Sequence, residues 1–138
     1  MWHGPSISQS LEGVTYVAAN SRPIPGAHSI WELTLHIASW ADIARTRLGE
    51  RAMPDPVRSR DWPPVPAPSP AVWRQAVEQI GSAYDALADH VDWLKPDDLA
   101  RIVPGRDYTV ETMIRGVIEH GVYHAGQIAI LKRALIRR

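Results

Sequence analysis

Apolar residues recur at helical spacing over three long stretches of the chain, and no stretch shows the period-two alternation of a strand. The clearest stretch follows Ser69-Pro70, a pair typical of a helix start, because serine caps the first turn and proline suits the first helical position. It ends at Lys95-Pro96. The apolar residues of this stretch are alternately four and three residues apart, which predicts a bundle helix. Its buried seam is predicted to consist of Trp73, Val77, Ile80, Tyr84, Leu87, Val91 and Leu94.

Another helix is predicted from about His28 to Gly49. Ser29 and Glu32 have the spacing of a capping box, and Gly49 is a typical residue at which a helix stops. Its apolar stripe consists of Leu33, Ile37, Trp40, Ala44 and Leu48. The last helix is predicted to begin after Thr109, a good cap, and to run to near the C-terminus. Its core face consists of Val110, Met113, Val117, His124, Ile128, Leu131 and Leu135.

The remaining segments are short or rich in proline. Residues from Pro5 to about Val14 predict a short first helix, and residues 16–27 predict a loop. The proline-rich run 61–70 predicts an extended crossing over the surface. Together these elements predict one all-α domain over residues 1–138, an up-and-down four-helix bundle with a short first helix.

Composition excludes several classes of function. The chain has 138 residues, and its 15 Lys+Arg balance 15 Asp+Glu, so no basic excess favours a nucleic acid or membrane partner. The absence of Cys excludes disulfides, thiolate metal sites and a cysteine nucleophile. Neither a signal peptide nor a membrane span is evident, so we expect a cytoplasmic protein.

The candidate chemistry lies in histidines on apolar faces. His120 and His124 are four residues apart on the predicted core face of the last helix, which suits two ligands of one ion. His36 lies on the apolar arc of the helix that begins near His28. These three imidazoles predict a site for a divalent ion such as Zn, Ni or Fe. The alternative is a metal-free core in which each imidazole is hydrogen-bonded.

Other polar and aromatic residues have simpler interpretations. His28 lies near a predicted helix start, where capping or loop hydrogen bonding accounts for it. His90 is predicted to lie on a solvated face, and His3 lies near the N-terminus. Gln127 is either a hydrogen-bond partner of a metal ligand or a polar residue flanking the core face, and Trp40 and Tyr123 line either a pocket or the core. The segment between His120 and His124 lacks the glutamate that serves zincins as a base, and no general base is assigned.

Two motifs resemble the DinB-like family. Segment 28–40 is similar to the family's second-helix motif and reads HSIWELTLHIASW, and segment 117–128 is similar to its last-helix motif and reads VIEHGVYHAGQI. The resemblance also includes RPIPG at residues 22–26 and DWPP at residues 61–64. It implies a four-helix bundle in which His36, His120 and His124 hold a divalent metal. Many relatives have a longer first helix than this chain offers.

The resemblance also implies a range of functions. Related branches include S-transferases and isomerases that use low-molecular-weight bacterial thiols, as well as proteins described as hydrolases. For this chain the first hypothesis is a metal-dependent hydrolase or thiol-dependent S-transferase acting on a small molecule. The alternative is a non-catalytic stress-response bundle in which the metal is structural. An open coordination position beside a pocket favours the enzyme, and a fourth protein ligand favours the structural role.

A homodimer is expected as well. Three long helices and one short one leave part of the core without a fourth wall, and the family's members are often dimers. The apolar strip left uncovered is predicted to include Trp31, Ala38 and Ile43. A second copy is the commonest means of burying such a strip. In the alternative, residues 16–27 and the proline run fold back over the strip within one chain.

Overall fold

The computed structural model describes residues 4–49 and 51–136, and its regular elements are all helices. Three helices are long and four are short. They are α1 (Ile7–Leu11), α2 (Tyr16–Asn20), α3 (Ile30–Arg47), α4 (Arg58–Asp61), α5 (Pro70–Asp92), α6 (Pro96–Leu99) and α7 (Val110–Ile136). The predicted all-α fold is therefore confirmed. Over the described residues, no helix combines the length and apolar character needed to cross a membrane.

The long helices begin where their capping residues predict. The Ser29 hydroxyl accepts a hydrogen bond of 3.2 Å from the Glu32 amide, and the Glu32 carboxylate accepts one of 2.7 Å from the Ser29 amide. This is the predicted capping box. Ser69 and Thr109 cap α5 and α7 in the same way, each accepting a hydrogen bond of 3.2 Å from the amide three residues on.

The N-terminal segment is more helical than predicted. Helix α1 is short as expected, but residues 16–20 form α2 instead of a loop. The Thr15 hydroxyl starts α2 by accepting a hydrogen bond of 3.2 Å from the Ala18 amide, and Ala19 is fully buried. This local cap was not recognised in the sequence, because one helical turn is too short to show a periodicity.

The direction of α5 differs from the predicted up-and-down order. One buried cluster joins the N-terminal halves of α3 and α5 to the C-terminal half of α7, and includes Trp31, Trp73 and Ile128. The other cluster joins the opposite ends of the same helices and includes Leu48 and Leu87. Helices α3 and α5 therefore run parallel, and α7 runs antiparallel to both. The prediction that neighbouring helices alternate in direction is wrong for α3 and α5.

The connection between α3 and α5 explains this parallel arrangement. A parallel neighbour requires the chain to return along the whole of α3, whose 18 residues span about 27 Å. Residues 48–69 form this return, and an extended chain advances about 3.3 Å per residue. As predicted, the proline run contributes no helix between Trp62 and Ser69. The return passes α3 on the side where His36 lies and brings Asp61 and Trp62 to it.

The core contains the predicted seams. On α5, Trp73, Ile80 and Leu87 are buried, and the other seam residues within the helix are half-buried. However, the strip predicted to remain uncovered is buried within the single chain, since Trp31, Ala38 and Ile43 are at most 4% exposed. Helix α5 covers the first two, and residues 53–60 pack beside the third. Those three assignments are wrong, whereas the homodimer itself stays a prediction.

Candidate metal centre

Helices α3 and α7 bring the three predicted histidines together. His120 and His124 lie one turn apart near the middle of α7, and His36 faces them from α3. The Nε2 atom of His120 lies 3.0 Å from Nε2 of His36 and 3.1 Å from Nε2 of His124. His36 and His124 are buried, and His120 is half-buried. Within the described part of the chain, these three form the group whose ligand atoms are close enough to share one ion.

Hydrogen bonds on the far side of two rings set their tautomers. Nδ1 of His36 lies 2.6 Å from the backbone carbonyl oxygen of Asp61. Nδ1 of His124 lies 2.7 Å from the side-chain oxygen of Gln127. A carbonyl oxygen only accepts hydrogen bonds, so each Nδ1 carries a proton and donates it. In the neutral rings this leaves a lone pair on each Nε2, the atom that faces the cluster.

The facing lone pairs fit a cation. His120 presents its Nε2 to both neighbours, and a single proton there can bridge to one of them only. A divalent ion accepts all three lone pairs at once. With bonds of about 2.0–2.1 Å, a tetrahedral ion separates its nitrogen ligands by about 3.3 Å. This is close to the 3.0 and 3.1 Å that separate Nε2 of His120 from those of His36 and His124. The donor set and its geometry therefore fit a metal bound by three imidazoles.

Burial keeps the three rings neutral. Burial, with the neighbouring His124 and His36, lowers the pKa of His120 to about 4. Burial also lowers the pKa of His36, although the hydrogen bond to Asp61 opposes the shift. The pKa of His124 is lowered by burial as well, against the opposing hydrogen bond to Gln127. Neutral imidazole is the form that binds metal, so the site needs no proton release near pH 7.

Residues at the end of α4 hold the His36 ring from outside the cluster. The rings of Trp62 and His36 are stacked, with centroids 3.8 Å apart and planes inclined by 7°. His28 stacks on the other face of Trp62 at 3.7 Å. The Asp61 carboxylate accepts a hydrogen bond of 2.8 Å from Nε1 of Trp40. His36 is therefore fixed by a backbone hydrogen bond at its edge and an indole on its face.

A cavity of about 370 Å³ opens beside the cluster, between α3 and the first half of α7. His36 and His120 form part of its wall, so the cavity reaches the candidate metal site directly. Most of the remaining wall is apolar, and its polar exceptions are Asp61, Arg47, Tyr108 and Thr112. Such a space beside an ion gives a small molecule access to it.

The other sequence interpretations have mixed outcomes. Gln127 is the hydrogen-bond partner of His124, as proposed, and Trp40 lines the cavity. Tyr123 is 64% exposed and does not line this cavity. His28 lies just before α3 and is partly exposed, and His90 is exposed on α5, both as expected. His3 lies outside the described residues.

Sequence reasoning assigned no site role to Asp61, Trp62, Arg47 or Tyr108. The DWPP motif at residues 61–64 marked the first two as part of the resemblance, but only the return of the chain along α3 shows that they contact His36. Arg47 and Tyr108 lie 61 residues apart and meet through a hydrogen bond of 3.1 Å. No local sequence pattern indicates that an arginine at the end of a helix is buried.

The three histidines lie within the part of the chain that matches a known family model. Residues 6–128 match the family model of the DinB superfamily, so the match includes all three histidines and the DWPP motif. No curated protein and no solved structure matches the chain.

Proposed function

The chain belongs to the DinB superfamily, and we propose that it is a metal-dependent enzyme that acts on a small molecule. His36, His120 and His124 hold the ion, which we expect to be Zn, Ni or Fe because imidazole suits all three. The observation that supports this proposal is that Nε2 of His120 lies 3.0 Å from Nε2 of His36 and 3.1 Å from Nε2 of His124, while His36 and His120 line a cavity.

A divalent ion with three neutral ligands supplies Lewis acidity, which lowers the pKa of a water or thiol that it binds. The chain's own residues orient the ligands. The Asp61 carbonyl and the Gln127 side chain keep the protons of His36 and His124 on Nδ1, away from the cluster. Trp62 covers the face of His36 and excludes water from that side.

Access to the cluster favours catalysis over a structural role. A structural site is closed by four protein ligands, whereas a catalytic one keeps a position open. Among the described residues, the ion-binding group contains only the three histidines. The nearby Asp61 carboxylate lies 3.4 Å from Nδ1 of His36, on the side away from the cluster, and is engaged by Trp40.

The reaction is either hydrolysis or transfer of a low-molecular-weight thiol. The chain has no Cys, so a thiol reaction takes its sulfur from a small molecule that enters the cavity. Both reactions need an acidified nucleophile beside the three histidines, and neither requires a separate side-chain base.

Two measurements test this proposal. The metal content of the purified protein should be one ion per chain, and it should be lost from the His120→Ala/His124→Ala double variant. The matched control is His90→Ala, which removes an exposed histidine on α5 and should leave the metal content unchanged. Stoichiometric metal in the double variant would contradict the ligand assignment.

The cobalt-substituted protein distinguishes the enzyme from a structural metal site. Addition of 2-mercaptoethanol should produce a thiolate-to-cobalt absorption band, because a position of the ion is open to an exogenous ligand. An unchanged spectrum, together with retained cobalt, would show a closed site. That result would favour the non-catalytic alternative, in which the ion joins α3 to α7.

A further inference from the structure

The cavity beside the three neutral histidines has a cationic group, Arg47, at its other end. His36, Trp40, Ala44 and Arg47 follow one face of α3, and all four line the cavity. At 1.5 Å per residue, the backbones of His36 and Arg47 are about 16 Å apart along the helix axis. The Arg47 guanidinium lies 5.6 Å from the centroid of the Trp40 ring, and that ring lies 5.7 Å from the His120 ring. The Trp40 indole therefore lies between the guanidinium and the imidazoles along the cavity wall.

Arg47 is buried but incompletely paired. Its side chain is 7% exposed. Nη1 donates a hydrogen bond of 3.1 Å to the Tyr108 hydroxyl, and Nη2 lies 3.5 Å from a carboxylate oxygen of Asp55. Nε is buried and has no hydrogen-bond partner among the described residues. A buried cation with a free donor is costly unless a further acceptor reaches it.

The charges around Arg47 leave a positive excess. Asp55 is 81% exposed and is shared with Arg106, whose Nη1 lies 2.7 Å from the same oxygen. One solvated carboxylate thus faces two guanidinium groups that are largely buried. The carboxylate that does line the cavity, Asp61, belongs to the histidine end and accepts a hydrogen bond from Trp40. The Arg47 end of the cavity therefore favours an anion with a single negative charge.

We propose that Arg47 and Tyr108 bind the carboxylate of a small substrate whose reacting group lies at the three histidines. A guanidinium matches a carboxylate in both charge and hydrogen-bond geometry, and the Tyr108 hydroxyl accepts from Arg47 while its own proton is free to donate. The walls between the two ends, which include Trp40, Met113 and Val117, suit an apolar body. This inference rests on the proposed function, since it assigns a substrate class to the same cavity.

The preference of the Arg47 end of the cavity for an anion is tested by comparing the binding of an acid with that of an amide of similar shape. Phenylacetate and phenylacetamide have similar shapes and differ in charge, and calorimetry measures their affinities for the full-length chain. The protein is first freed of metal by a chelator, because an ion would itself bind a carboxylate. We expect the acid to bind at least about tenfold more tightly than the amide, as one charge-assisted hydrogen bond suffices for that. Equal affinities would overturn the inference.

Substitutions identify the residue responsible. Arg47→Met should abolish the preference for the acid, whereas Arg47→Lys should retain part of it, because lysine keeps the charge. A merely structural role predicts equal effects on the acid preference, since both changes remove the guanidinium group from its place against Tyr108. Arg45→Met is the matched control, because Arg45 lies on the same helix but does not line this cavity. A full preference for the acid in a folded Arg47→Met variant would contradict the assignment.

A second readout uses the unmodified side chain. The Nε–H resonance of Arg47, identified by its absence in Arg47→Lys, should shift on addition of phenylacetate and not of phenylacetamide. An unshifted resonance at saturating phenylacetate would also overturn the inference. Neither experiment needs metal or turnover. A chain that binds the acid through Arg47 but takes up no metal contradicts the proposed function alone, and a metal-binding chain without acid preference contradicts this inference alone.

Discussion

Gly121 lies against the hydroxyl group of Tyr84 so closely that a β-carbon on Gly121 would stand 2.5 Å from that oxygen. The same carbon would stand 2.8 Å from a methyl group of Ile7. The Tyr84 hydroxyl in turn donates a hydrogen bond of 3.2 Å to the Val117 carbonyl. Helix α7 therefore approaches α1 and α5 through a glycine that directly follows His120.

This contact predicts that Gly121→Ala destabilises the fold, because the added methyl group forces α7 away from Tyr84. Overpacking of this kind costs about 1–3 kcal/mol in the free energy of unfolding, which urea denaturation measures. Tyr84→Phe in the same chain should recover part of the loss by removing the clashing oxygen. Gly126→Ala is the control, since a β-carbon added there would have no such neighbour within 4 Å and alanine favours a helix. Equal stability of Gly121→Ala and the wild type would contradict the close approach.

The stacking of Trp62 on His36 predicts a role in metal affinity. Trp62→Ala removes the ring that lies 3.8 Å from His36 and leaves all three ligands in place. Loss of a residue that orients a ligand typically weakens metal binding by about 10–100-fold. Competition with a chromophoric chelator measures the change. Trp93→Ala removes an indole that is 87% exposed, and should bind metal as the wild type does.

The seam of α5 predicts the cost of a cavity in the core. Leu87 is 5% exposed and belongs to the second buried cluster, so Leu87→Ala should lower the free energy of unfolding by about 2–5 kcal/mol. Gln75→Ala, on the exposed face of the same helix, should change it little. An unchanged melting midpoint for Leu87→Ala would contradict the assignment of Leu87 to the buried seam of α5.

The buried imidazoles predict how the stability of the metal-free protein depends on pH. Burial lowers the pKa of His120 from 6.5 to about 4, so between these values the unfolded chain binds more protons than the folded one. Stability then rises with pH across this window and falls on acidification. Urea unfolding with a chelator at pH 7 and pH 5 should show this loss. The pH dependence should be shallower in His120→Ala and unchanged in His90→Ala; identical slopes in all three proteins would contradict it.

The homodimer is tested by light scattering at micromolar concentration. A mass near twice 15.4 kDa is expected, and a concentration-independent mass of one chain would refute the dimer. Because Trp31, Ala38 and Ile43 are buried in the chain, the contact surface must use other residues. Val122 on α7 is 58% exposed, and Val122→Asp should favour the monomer if this face is the contact. Val17→Asp changes a similarly exposed residue on α2 and serves as the control.

The sequence alone determined what depends on local spacing. A helix is closed by hydrogen bonds between residues four apart, so its caps, its apolar face and the pairing of His120 with His124 follow from neighbouring residues. The capping box at Ser29 and the inward position of His36 were predictable for the same reason. The three candidate metal ligands could therefore be named from periodicity, although not the distances between them.

The tertiary structure decided how these elements meet. Whether α5 runs parallel or antiparallel to α3 depends on the path of residues 48–69, and an apolar seam packs in either direction. That path brings Asp61 and Trp62 into contact with His36. Arg47 at the end of α3 is hydrogen-bonded to Tyr108 because the loop that precedes α7 packs beside α3. Contacts between residues distant in the chain cannot be recognised from the spacing of residues in the sequence. They depend on loop closure and on the shapes of the packed faces.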